Sequence, residues 1–168
     1  AKFISDYSDL VLCVPLSLAL WSVGALRDRT RWRRLGLACL MAALMAGLIV
    51  NMVKYVVGRP RPDAAAAFPQ TFCGPATRAK LTSYPSGHTA TSTATGVSLI
   101  AAAPVVAIPG AIYAAAVGWS RMQLRKHYPI DVAVAAVIGA ICGACFASTI
   151  PRSVIRLRRR KRHQVARH

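Results

Sequence analysis

This chain of 168 residues contains no glutamate, and its five carboxylates are all aspartates: Asp6, Asp9, Asp28, Asp63 and Asp131. A two-metal hydrolase needs several clustered carboxylates or histidines, and so few acids scattered this widely do not supply them. Aromatic residues make up only 7% of the chain. Cysteine is scarce and odd in number, at Cys13, Cys39, Cys73, Cys142 and Cys145, and four of the five lie in apolar runs. That pattern speaks against a disulfide framework and for small residues inside helices. Cys142 and Cys145 form a Cys-x-x-Cys, but within an apolar stretch rather than at an exposed turn, which disfavours a redox role.

What is abundant is positive charge and apolar sequence. The formal net charge is +17, and 55% of the residues are hydrophobic. The two coexist because the charges cluster between long uncharged runs, as in a polytopic membrane protein. A nucleic-acid binder would spread Lys and Arg over a soluble fold, so no nucleic-acid partner is expected. By length the chain is one domain: a membrane-embedded unit over 1–150 and a basic tail over 151–168.

The uncharged runs predict an all-α bundle with five crossings, at about 10–26, 35–57, 87–103, 106–122 and 130–150. The stretch 89–119 is 31 residues without a charge, long for one span and tight for two. Pro104, Pro109 and Gly110 sit near its middle, where a turn is wanted. Arg27, Arg29, Arg31, Arg33 and Arg34 lie between the first two runs, and eight more Lys/Arg fall in 152–167. A Lys/Arg excess marks the cytoplasmic side. Both basic regions face that side only if 89–119 crosses twice. This topology puts 58–86 and 121–130 outside and makes residue 1 external, from which an upstream helix or signal is expected. The tail, with its basic run from Arg156 to Arg162, is expected to rest on anionic lipid headgroups. Gly139-x-x-x-Gly143 and the Ala, Ser and Thr of the last three runs suit close helix approach in lipid.

Three polar signatures fall at the outer edge of these runs. Lys54 is followed after six residues by Arg61-Pro62. Pro85-Ser86-Gly87-His88 opens the third run, and Ser120-Arg121 precedes His127 and Asp131. Pro129 suits the first turn of a helix, which brings Asp131 close to His127. The carboxylate is then expected to accept from one imidazole nitrogen and leave the other free to attack phosphorus. Ser86 stands at an N-cap position, Gly87 permits close backbone approach, and His88 in the first turn is placed to donate a proton to a leaving oxygen. Arg61 and Arg121 offer forked contacts to phosphate oxygens and Lys54 a point charge. Taken singly, each signature also has a plain reading: an interfacial His beside a helix-start Asp, an ordinary Pro-Ser-Gly turn, a charged flank of a span. Their order, spacing and common membrane side join them into one phosphate-handling site.

Over roughly 35–150 the chain resembles the type 2 phosphatidic acid phosphatase superfamily of membrane lipid phosphatases. That family carries Lys-x6-Arg-Pro, Pro-Ser-Gly-His and Ser-Arg-x5-His-x3-Asp, and every position is matched here. The resemblance implies that His127 is a nucleophile forming a phosphohistidine, oriented by Asp131, and that His88 protonates the leaving group and then activates water. It implies that Lys54, Arg61, Ser86, Gly87 and Arg121 hold the phosphate, with no metal and no cofactor. It also implies six spanning helices, the first absent here, and a site on the periplasmic or lumenal face of a membrane such as the bacterial inner membrane. Expected substrates are lipid phosphates or diphosphates: phosphatidylglycerophosphate, phosphatidic acid, isoprenyl diphosphates or lipid A phosphates. Phe68, Phe72 and Tyr84 are candidates to line the lipid's path to the site. The alternatives are a lipid-to-lipid phosphotransferase, a vanadate-dependent haloperoxidase and a non-catalytic membrane protein. The sequence assigns no oligomeric state.

Overall fold

The computed structural model describes residues 10–102, 105 and 107–150. Among them are five α-helices and no strand: α1 Leu10–Leu26, α2 Thr30–Val57, α3 Gly87–Ala102, α4 Ala107–Gln123 and α5 Pro129–Ala147. Two 3-10 turns, Ala65–Ala67 and Ala79–Leu81, lie in the long connection between α2 and α3. Helices α2 and α5 are long and apolar enough to cross a membrane, and α1 is a shorter apolar helix. At 16 and 17 residues, α3 and α4 reach only about 24–26 Å, short of a ~30 Å hydrocarbon core.

The expected helix boundaries hold to within a few residues, with two informative departures. α2 begins at Thr30 rather than near 35, so Arg31, Arg33 and Arg34 are helical. No Gly or Pro interrupts 30–35, and a helix can run on past its apolar stretch wherever Arg side chains reach water. Pro109 and Gly110 belong to α4 rather than to the turn before it. A proline at the third helical residue removes only an N–H that has no partner within the helix. The terminal segments, with the basic run Arg156–Arg162 and the expected external position of residue 1, fall beyond the described residues, as does Pro104.

α3 is the central helix: it packs most extensively on α5, then on α2 and α4, and touches α1. Its buried face is therefore small and hydroxylic, with Thr89, Ala90, Thr91, Ser92, Ala94, Thr95 and Ser98. Those hydroxyls are satisfied within the bundle. Thr95 donates to the Thr91 carbonyl and Ser98 to Ala94 at 3.0 Å each, and Ser98 also lies 3.3 Å from the Gly143 carbonyl of α5. The large apolar side chains point the other way: Leu37, Leu44, Leu48, Met52, Ile112, Val137 and Ile141 are all exposed. Small polar side chains within and large hydrocarbons without make a surface that lipid satisfies and water does not.

Close approach of α3 and α5 requires glycine. A Cβ on Gly139 would strike the Ala90 carbonyl oxygen, and one on Gly143 would stand 2.6 Å from the Ala94 carbonyl oxygen. Backbone cannot yield as a side-chain tip can. Gly139→Ala is therefore expected to destabilise the protein by about 1–3 kcal/mol through overpacking. Gly110→Ala, whose Cβ meets nothing within 4 Å, should be neutral or stabilising. Thermal unfolding of the two variants in detergent, compared with the parent, checks both signs.

Candidate active site

Four helix ends meet at one rim. α2 finishes there, α3 begins, α4 finishes and α5 begins, so Lys54, His88, Arg121 and Asp131 share one end of the bundle. The arginine-rich turn between α1 and α2 stands at the other end of α2. α2 is stopped by Gly58, which takes the left-handed conformation (φ 59°) and donates its N–H to the Lys54 carbonyl at 3.1 Å. The loop beyond is stitched to the rim through its backbone. Arg61 N–H bonds the Lys80 carbonyl at 2.9 Å, Ser83 N–H the Arg59 carbonyl at 3.0 Å, and Ser86 N–H the Asp131 carbonyl at 3.1 Å. Asp63 adds an ion pair with Lys126, which holds its carboxyl below the ordinary value of 3.8.

The cationic groups converge on His127, a loop residue that is only 3% exposed. Burial pushes its pKa down from 6.5 to about 3, and Arg121, Lys54 and Arg61 each press the same way while the Ser83 carbonyl opposes them. At neutral pH the ring is uncharged. Gly87 packs against Lys54, whose Nζ would stand 3.3 Å from a Cβ placed there, so a side chain at Gly87 would intrude on the ammonium. The N-termini of α3 and α5 add their positive ends to this rim. Ser86 is fully buried just before α3, and His88, partly buried, stands in its first turn. Arg61 gives its Nη2 to the Thr82 hydroxyl at 3.3 Å, while its buried Nε–H meets no acceptor among the described residues.

The expected contact between His127 and Asp131 is not the one the structure shows. His127 Nδ1 lies 2.5 Å from the Ser83 carbonyl oxygen and 3.9 Å from Asp131 Oδ2. The reason is local. His127 precedes the helix, Tyr128 caps it in an extended conformation, and the Asp131 carboxylate folds back to accept the Tyr128 N–H at 2.9 Å. Asp131 also accepts from Arg59 Nη1 and from the Ser83 hydroxyl, each at 2.5 Å. A carbonyl can only accept, so Nδ1 carries the proton and the Nε2 lone pair is left available. The sequence reading singled out neither Arg59 nor Ser83. Arg59 is flagged by the doubled Arg-Pro of 59–62, whereas nothing in the spacing singles out Ser83. Among the described residues, no three of His, Cys, Asp and Glu gather where they could hold a metal ion.

A model of the PAP2 superfamily matches residues 35–155. The chain belongs to that superfamily. It is 29% identical over 145 residues to the undecaprenyl-diphosphatase BcrC of Bacillus subtilis, covering 86% of this chain and 70% of that protein. It is 36% identical over 149 residues to the decaprenylphosphoryl-5-phosphoribose phosphatase of Mycobacterium tuberculosis, covering 86% and 75%. Against the lipid A 1-phosphatase of Porphyromonas gingivalis identity is 30%, over 84% of this chain but 30% of that longer protein. No solved structure gives a significant match.

The depressed pKa of His127 has a measurable sign. Between about pH 6.5 and 3 the unfolded chain binds a proton at this imidazole that the folded chain refuses. Stability is therefore expected to fall as pH drops through that window, and His127→Asn should flatten the decline. Asp63 acts in the same sense only near and below its ordinary 3.8. From pH 6.5 to 5 the difference in slope between the parent and His127→Asn reports this imidazole, and an unchanged slope in the variant would contradict the assignment.

Proposed function

We propose that this chain releases phosphate from a lipid phosphate or diphosphate through a phosphohistidine on His127, without a metal ion, at the non-cytoplasmic face of the membrane. That it is a hydrolase acting on lipid phosphates follows from its superfamily and from relatives named as lipid phosphatases. The observation that carries the finer reading is a buried imidazole whose Nδ1 sits on the Ser83 carbonyl and which Arg121, Lys54 and Arg61 face.

The chemistry follows from those groups. Nonbridging phosphate oxygens bind the guanidinium of Arg121, the Arg61 side chain, Lys54 and the backbone about Ser86 and Gly87. The Nε2 lone pair of His127 attacks phosphorus; a P–N bond forms and the P–O bond to the lipid breaks. His88, entering as imidazolium, gives its proton to the departing oxygen. It then takes a proton from water as the water oxygen attacks phosphorus, the P–N bond breaks and inorganic phosphate leaves. The three cations stabilise the charge spread over the equatorial oxygens, which is the larger part of phosphoryl-transfer catalysis.

The membrane reading has its own support. An apolar hollow of about 640 Å³ at the rim is lined by Val56, Val57, Arg59, Phe72, Gly74, Tyr84 and Ile130, and suits a lipid chain beside the phosphate seat. Phe68 lines a smaller neighbouring hollow with Arg59 and Tyr128. The arginine-rich α1–α2 turn at the opposite end supports the cytoplasmic reading of that end. The short α3 and α4 complete five crossings by spanning where helix ends and loops fill the rim, with residues up to 150 as the catalytic unit and the basic tail on the cytoplasmic side.

Purified protein in detergent should release phosphate from a panel of lipid monophosphates and isoprenyl diphosphates. His127→Ala is expected to lower the rate by about 10³-fold or more while the protein stays monodisperse. EDTA should leave the parent's rate unchanged. Full activity of His127→Ala, or loss with EDTA restored by a divalent ion, would overturn the mechanism.

A further inference from the structure

Behind His127 lies an array of groups that no step above uses. Asp131 is fully buried, and its two oxygens accept from Arg59, Ser83 and the Tyr128 N–H. Ser83 is fully buried too and is held at both ends, its N–H on the Arg59 carbonyl and its hydroxyl on Asp131. That hydroxyl also lies 3.2 Å from the Lys126 carbonyl, but its single proton goes to the nearer, charged oxygen. The Arg59 guanidinium is fixed in turn by stacking, 4.2 Å from the centre of the Tyr128 ring and 5.8 Å from that of Phe72. So placed, Arg59 faces the carboxylate.

We propose that Arg59 and Ser83 are positioning residues for the nucleophile: Arg59 holds the Asp131 carboxylate against the Ser83 hydroxyl, so that the Ser83 carbonyl receives the His127 Nδ1 proton. The kinetic consequence rests on His127 being the nucleophile; the proton's position rests on geometry alone. Had the carboxylate taken that hydrogen bond directly, its charge would favour the imidazolium, which cannot attack phosphorus. A neutral carbonyl fixes the same tautomer without that penalty. The charges facing His127 are Lys54 from α2, Arg121 from α4, Arg61 from the outer loop and Asp131 from α5, with His88 contributed to the rim by α3. Arg59 offsets the negative charge of Asp131.

Two experiments on the full chain in detergent test this. In ¹⁵N-histidine-labelled protein, the four histidines are separable, and His127 is assigned by the signal lost in His127→Gln. The expected spectrum at neutral pH is the tautomer protonated at Nδ1. An Nε2-protonated ring or an imidazolium would overturn the proposal, with no need of an active enzyme or a folded Arg59 variant. In kinetics, Arg59→Gln should lower kcat by about tenfold or more and leave KM within about threefold. It should also move the acid limb of kcat/KM up by about one pH unit as Asp131 closes on Nδ1. Arg59→Lys should restore most of the loss. A raised KM with kcat and the acid limb unchanged would place Arg59 on the phosphate instead and end the proposal. The two failures are distinguishable: an active His127→Gln removes the nucleophile, whereas the position of the ring proton in the parent stands or falls by itself.

Discussion

A buried carboxylate organises the rim of this molecule. Asp131 has no exposed surface, and leaving such a charge unpaired would cost several kcal/mol. The cost is met by three hydrogen bonds from three different places: Arg59 just after α2, Ser83 just before α3, and Tyr128 at the start of α5. Those contacts fix where the outer loop lies and which way α5 enters the bundle. His127, one residue before the cap of α5, has little freedom left once they are made. Its neighbours then place Nδ1 on a carbonyl and leave it among three cations.

Everything below the rim serves to hold those helix ends in place. α3 runs through the middle with a face of Ala, Ser and Thr, and Gly139 and Gly143 let α5 lie against its backbone. In lipid there is little hydrophobic drive between helices, so packing and interhelical polar contacts must supply the cohesion. The polar material that would be costly against lipid is thereby kept inside, and the hydrocarbon side chains are kept outside. On the proposed reading, this packing sets the positions of the groups that seat the phosphate. Cations held close together repel each other, and the packed helices and stitched loop keep them near one buried ring.

Much of this was legible in the sequence, because charge is so unevenly distributed. Uncharged runs give helix limits close to those of α1, α3, α4 and α5, and the shared rim of the two histidines follows from two helices within 89–119. Where α2 begins was not legible, since arginine continues a helix as readily as it flanks one. Pro109 was read both as part of the run 106–122 and as a turn residue, because a proline in a first turn and a proline in a loop look alike in one dimension. The partner of His127 was misjudged for a deeper reason. A spacing of four implies a contact only if both residues are helical, and His127 is not. A backbone carbonyl, moreover, leaves no trace in the identity of the residue that bears it, so Ser83 was invisible.

The central claim is that the buried, uncharged His127 is the atom-for-atom acceptor of the phosphoryl group. Acid-free quenching of the purified protein a few milliseconds after mixing with ³²P-labelled lipid phosphate tests it most directly. The account predicts label on the protein that is stable to alkali, lost in acid, mapped to the segment holding His127 and missing in His127→Ala. Turnover at full rate with no label on the protein at any time, or label on a different residue, would contradict it.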